Sequence, residues 1–268
     1  MKLLLPLLLA HGLVAASLGV FDNGLGRGVI SIDDQAELAR KTGYDGVLFA
    51  GTAHIPEMRK ALDSRGLKFY AIYTGMNLSD KEPGFDPGLP QAIKELSGSG
   101  ALIAFNVNGR PSSPTADADA IAVRTLRQVA DMASEAGLRV ALYPHYGMHV
   151  ARIEDALRLR EMAGKSNVGI VFNLCHWLRS GDEANMAMRL KQSAPYLYLV
   201  LINGADHQGD WDRLIQPLDR GEFDLAALLK ALHSVGYQGP VGLQCYAIKG
   251  DREDNLRRSM AAWHKLSH

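Results

Sequence analysis

Two histidines in this chain stand where an imidazole can do chemistry. His145 closes the segment Ala141-Leu142-Tyr143-Pro144-His145, and His176 closes Asn173-Leu174-Cys175-His176. Each follows a short apolar run. An imidazole titrates near neutrality and serves as acid, base or metal ligand. Other apolar runs end in Asn106, Asn203 and Gln244, and the aromatics Tyr143, Trp177 and Tyr246 stand at or just beyond such ends. Amides offer donors and acceptors to a hydroxyl-rich ligand, and aromatic faces stack on the apolar face of a sugar ring. Blander roles exist for each. A strand-end amide can serve loop backbone groups, an aromatic can be core, and a lone histidine is more often structural than catalytic. Two histidines on neighbouring strand ends, within a ring of amides, favour a site. His145 and His176 are therefore predicted as the acid–base pair. Tyr143, Asn173, Asn203, Gln244, Trp177, Tyr246 and Asn106 are predicted as substrate contacts.

These residues share a frame only if the apolar runs form one sheet. Runs at 18–22, 46–50, 67–74, 101–106, 139–143, 168–173, 197–203 and 240–245 read as strands. Helical stretches follow each of them, at 33–42, 56–64, 91–96, 117–136, 150–163, 183–192, 224–234 and 252–265. In the seventh helix Leu225, Leu228, Leu229 and Leu232 recur at i, i+3, i+4 and i+7. Ser31 suits an N-cap and Gly43 a helix stop. Regular strand–helix alternation means a parallel sheet, and eight such units in about 250 residues close most simply into a single (β/α)8 TIM barrel over residues 17–268. An open doubly wound sheet is the alternative, and no GxGxxG follows the first strand to support its dinucleotide-binding form. Barrel function sits at the C-terminal strand ends. Period-2 alternation then turns Tyr143, His145, Asn173 and Gln244 inward and Leu142, Phe172 and Leu243 toward the helices. Asp22, Thr52, His54, Tyr73 and Asn108 fall at the same end. The loop 204–221, with Asp206, His207, Asp210 and Trp211, is either a lid or a solvated excursion.

The 29 Lys+Arg equal the 29 Asp+Glu over 268 residues, so no global positive field exists to hold a nucleic acid. A chain that is 47% hydrophobic is also no disordered segment. Lys2 followed by a short leucine-rich run and small residues up to Ala16 has the layout of a cleavable signal peptide, residues 1–16. The expected location is periplasmic or secreted, with no membrane association after cleavage. Cys175, placed in a loop, and Cys245, pointing away from the barrel interior, are expected to remain unpaired thiols.

The second half resembles the xylose isomerase-like TIM barrel superfamily of sugar isomerases and epimerases. The resemblance is carried by the strand-five end at His145, by Asn173-x-x-His176, and by Pro217-Leu218-Asp219-Arg220-Gly221-Glu222-Phe223-Asp224 running on to Gly236-Tyr237-Gln238-Gly239-Pro240. It implies a small-molecule carbohydrate partner, either a free sugar or a keto-sugar or glycoside, and a divalent metal held by two Glu, an Asp and a His. The matching positions here read Tyr143, Asn173, Asn203 and Gln244, so the usual carboxylate ligands are missing. A divalent metal stays open as cofactor, with His145, Asn173 and Gln244 as weak ligand candidates, because a hard dication wants carboxylate oxygens. Gln244 cannot act as a base. The resemblance thus implies a sugar isomerase/epimerase-like protein. A keto-glycoside lyase and a non-catalytic carbohydrate-binding barrel are the alternatives.

Overall fold

A computed structural model of the chain describes residues 17–78, 83–109 and 115–267. The predicted leader, 1–16, and most of the Pro/Ser loop before the fourth long helix lie outside the described residues.

Eight strands close in chain order into one barrel, every pairing parallel. They are β1 (Leu18–Phe21), β2 (Gly46–Ala50), β3 (Lys68–Asn77), β4 (Leu102–Asn108), β5 (Arg139–Leu142), β6 (Val168–Asn173), β7 (Leu197–Ile202) and β8 (Val241–Leu243). The helices are α1 (Asp22–Leu25), α2 (Ile32–Lys41), α3 (Ile55–Asp63), α4 (Leu89–Glu95), α5 (Ala116–Glu135), α6 (Ile153–Ala163), α7 (Leu174–Arg179), α8 (Met186–Ser193), α9 (Trp211–Leu214), α10 (Leu225–Ser234) and α11 (Arg252–Leu266). Among the described residues no helix is long and apolar enough to cross a membrane.

Caps set the helix starts. Ser31 accepts from Asp34 N–H, Asp224 from Ala227 N–H and Asp251 from Asp254 N–H. The eight units follow the sequence expectation; short helices α1 and α9 are additions, and three further differences bear on the site. β3 runs on to Asn77 because β4 continues to pair with it through Asn108. An additional short helix, α7, starts directly at the end of β6, ahead of the expected sixth helix, which is present as α8, so Cys175 lies in a helix rather than in the predicted loop. The fifth helix starts later, since residues 145–150 first close a turn with hydrogen bonds from His145 N–H to Val150 O and from Met148 N–H to His145 O. Cys175 and Cys245 are both free and buried, and burial pushes each thiol up to about 12, which keeps them inert.

Two irregularities shape the sheet. Val47 and Leu48 pair with Phe69 and Ala71, leaving Tyr70 unpaired in β3; Ile170 and Val171 pair with Leu197 and Leu199, leaving Tyr198 unpaired in β7. Each bulged tyrosine lies against a glycine of the preceding strand, Tyr70 against Gly46 and Tyr198 against Gly169. A Cβ on Gly169 would stand 2.5 Å from both the Tyr196 carbonyl oxygen and the Tyr198 ring, and neither can yield without moving backbone. Gly169→Ala is therefore expected to destabilise the barrel by roughly 1–3 kcal/mol, read as a lower midpoint with unchanged slope in urea denaturation.

Candidate functional site

The C-terminal end of the barrel gathers the predicted residues around one phenol. Tyr143 follows β5 and is buried. Its hydroxyl oxygen accepts Nδ2 of Asn173 and, at 3.4 Å, Nε2 of Gln244. Backbone donors fix which way both amides face. Asn173 Oδ1 accepts His176 N–H at 3.4 Å and the Cys175 thiol at 3.0 Å. Gln244 Oε1 accepts the N–H groups of Cys245 at 3.0 Å and Tyr246 at 3.3 Å. A backbone N–H needs an oxygen, so the two NH2 groups must turn to the phenol. Beside them Tyr73 lies 4.8 Å from Tyr143, ring to ring, and accepts Nδ2 of Asn106 at 2.7 Å.

The histidines stand over this network. Asn173 ends β6 and caps α7, which places His176 on the first turn above it; the Asn-x-x-His spacing is that of an N-cap and its third helical residue. His145 is carried by the turn after β5. The two rings lie 3.9 Å apart, centroid to centroid, inclined by 39°. His176 Nδ1 is buried with no partner among the described residues. Burial lowers the pKa of both rings, well below the ordinary value for His176, where the neighbouring His145 adds to the effect. His145 Nδ1 lies 3.1 Å from the Tyr146 carbonyl oxygen, which can only accept, so Nδ1 carries the proton and Nε2 keeps a free lone pair.

The turn that carries His145 is bolted down. His149 donates its backbone N–H to Val107 O, and its Nε2 lies 2.8 Å from Asp119 Oδ1. Arg158 bridges Asp119 and Asp155. Burial pushes the Asp119 carboxyl up, but the hydrogen bonds from Arg158 and His149 outweigh it and hold the group below its ordinary value. The sequence reading missed this anchor, because its partners are far apart in the chain.

The long seventh loop covers the other side. Trp211 meets His176 edge-on at 5.3 Å and Tyr146 at 6.2 Å. The Arg179 guanidinium lies 5.6 Å over Tyr146 and 5.7 Å over Trp211, and donates to Gly209 O. The loop thus packs against the histidine side of the mouth. Tyr146, Trp211 and Tyr246 keep 42%, 38% and 62% of their surface exposed at this rim. Not every predicted contact joins the cluster. Trp177 packs against Phe172 at 5.5 Å and Phe223 at 6.4 Å, in the apolar layer behind β6. Asn203 is buried and spends its NH2 on Gly204 O and Leu214 O, leaving Oδ1 without a donor among the described residues. His54 is exposed beside Glu57.

These residues do not fit a divalent metal. No three His, Cys, Asp or Glu among the described residues gather to hold one. The amide oxygens of Asn173 and Gln244 are committed to backbone N–H groups and their NH2 groups cannot ligate, while the unpaired Oδ1 atoms of Asn106 and Asn203 have no carboxylate cluster beside them, among the described residues, to offset a dication's charge.

One carboxyl does sit at this end. Asp22, fully buried after β1, accepts Ala50 N–H and lies 3.3 Å from Arg27 Nε, while its Oδ1 has no partner among the described residues. Burial, against the Ala50 hydrogen bond and Arg27, raises its pKa to about 6.

Residues 36–266 match the family described as xylose isomerase-like TIM barrel. The fold is shared with a 3-keto-D-glucoside 4-epimerase of E. coli, at TM-score 0.75 and 19% identity over 93% of this chain and 99% of that one. It is shared equally with a D-allulose 3-epimerase of Methylomonas sp., at TM-score 0.77 and 14% identity over 94% and 98%. A 3-dehydroshikimate dehydratase of Pseudomonas aeruginosa is 27% identical over 183 residues, which is 64% of this chain but only 26% of that protein's length.

The raised Asp22 carboxyl generates a stability prediction. The folded state holds a proton that the unfolded chain gives up near 3.8, so the associated stability is present at low pH and is lost as pH rises through about 6. Asp22→Asn keeps the acceptor for Ala50 N–H without the charge. Its melting temperature relative to the parent is expected to climb between about pH 4 and about pH 7, with a free-energy span on the order of 3 kcal/mol. A constant difference across that range would refute the assignment.

Proposed function

We propose, from the premise that this chain belongs to the xylose isomerase-like TIM barrel family, that it removes a proton beside the carbonyl of a small polyhydroxy substrate without a resident metal. The observation that carries this reading is the contact between His145 and His176 above a phenol held by two amides. Epimerisation beside a keto group, aldose–ketose isomerisation and elimination of a β-hydroxyl or β-glycoside all begin with that proton transfer. The relatives named as epimerases and as a dehydratase fall within this set.

His145 is the base. Its Nδ1–H is engaged with the Tyr146 carbonyl, so Nε2 presents its lone pair. Burial keeps the ring neutral at neutral pH, the form a base requires. His176, neutral for the same reason and partnerless at Nδ1, lies against the His145 ring and would hold or relay a proton on the same side of the substrate. Asn106 and Asn203 each present an unpaired amide oxygen to substrate hydroxyls, and Tyr146, Trp211 and Tyr246 provide faces for a sugar ring. A free carbohydrate suits this neutral mouth. A related D-allulose 3-epimerase has been seen with D-allulose bound, which makes keto-hexoses the first substrates to try. Residues 1–16 support export, and a mature chain beginning at Ser17 would establish it.

A second reading is a carbohydrate-binding barrel without turnover, favoured by the exposed aromatic rim. Deuterium incorporation from D2O into D-allulose and a panel of 3-keto-glycosides, with EDTA present, separates the two. Exchange is expected with the parent chain, and His145→Ala should lower it by about 10²–10⁴-fold. Because the base must be neutral, the acid limb of kcat/KM should lie below the ordinary imidazole value of 6.5. Ring binding with no exchange on any of these compounds would leave the binding reading.

A further inference from the structure

The phenol beneath the histidines has a hydrogen still to give. A tyrosine oxygen accepts two hydrogen bonds and donates one. On Tyr143 both lone pairs are taken, by Asn173 and Gln244, and these two donors cannot reverse because their own oxygens serve the N–H groups of His176, Cys245 and Tyr246. No acceptor for the Tyr143 hydroxyl hydrogen is present among the described residues. It is therefore a pre-oriented donor in a buried setting. The half-buried Tyr73 and His145 flank it, and the unpaired Asn106 Oδ1 and Asn203 Oδ1 stand among the same strand ends. Burial keeps the phenol protonated far above its ordinary value, so it donates a hydrogen bond and does not surrender the proton.

We propose that the Tyr143 hydroxyl receives the carbonyl oxygen of a small α-hydroxy ketone, as the electrophilic group of a site whose residues do not fit a metal. This rests on the proton-abstraction reading above and assigns its missing half. The balance is simple. The C–H bond beside the carbonyl breaks and its proton goes to His145 Nε2. The C–H electron pair becomes the C=C bond of an enolate, and the carbonyl π pair moves onto oxygen. Tyr143 hydrogen-bonds that oxygen as its charge grows, while Asn173 and Gln244 stiffen the phenol from behind. Return of the proton restores the ketone. A neutral donor aimed at developing charge in a dry site is among the largest single contributions to such a step.

The test uses [2-13C]dihydroxyacetone, the smallest α-hydroxy ketone, with EDTA throughout. In the parent chain the bound carbonyl is expected to move downfield, and its stretching frequency to fall. Tyr143→Phe should abolish both shifts and lower deuterium exchange at the carbon beside the carbonyl by about 10²–10³-fold, with KM little changed. That variant leaves two NH2 groups without an acceptor and could fail to fold. 3-Fluorotyrosine placed at position 143 keeps the shape, donates more strongly, and should enlarge the downfield shift. An unshifted bound carbonyl, a shift that survives Tyr143→Phe, or no binding at the solubility limit each overturns the proposal. A shifted carbonyl without deuterium exchange supports the Tyr143 assignment while sinking the His145 base, so the two readings fail separately.

Discussion

A phenol oxygen has two lone pairs, and at the mouth of this barrel two carboxamides use both. Much of the site depends on that pairing. Asn173 is at once the last residue of β6, the cap of α7 and a donor to Tyr143, so one side chain ties strand, helix and phenol together. Gln244 does the same for the turn after β8. Asn173 and Gln244 spend their oxygens on backbone and their NH2 groups on the phenol, and the three bury no unpaired charge. A dication at the same place would need carboxylate oxygens facing inward, and here the Asn173 and Gln244 oxygens face backbone.

Neutrality runs through the site as one physical theme. Two imidazoles 3.9 Å apart cannot both be charged in a buried setting, and burial leaves both neutral. The phenol stays protonated for the same reason. What relatives are implied to do with carboxylates and a metal, this arrangement would do with lone pairs and hydrogen-bond donors whose directions are set by packing.

The barrel and the convergence of Tyr143, His145, Asn173 and Gln244 were legible in the amino-acid sequence, because alternation along a strand decides which side chains share a face. His176 was legible only as a strand-end residue; that Asn173 caps a helix there was not, because the segment read as loop. Trp177 shows where this stops: one residue further along the first turn of α7, the ring swings behind β6 to Phe172, and helical phase rather than strand parity decides. The His149–Asp119–Arg158 anchor joins three elements through contacts 30 and 39 residues apart, and no local pattern announces it. The loop 204–221 read equally as lid or excursion, since the Trp211 contacts that seat it against His176 are tertiary.

The bulged tyrosines Tyr70 and Tyr198 occupy matching places, one on the third strand and one on the seventh, each wedged on a glycine of the strand before. Half a turn of the barrel separates them. A closed sheet must accumulate a fixed stagger around its circumference, and an extra residue advances that stagger locally. Here the advance is divided between opposite sides of the barrel, at the β2–β3 and β6–β7 pairings. The second of these pairings runs through the candidate site: Tyr143, His145, Asn173 and His176 come from the ends of β5 and β6, Asn203 and Gln244 from the ends of β7 and β8. The advance there fixes the register at which Asn173 meets β7, opposite Leu201, and with it how far Asn203 stands beyond that pair at the mouth.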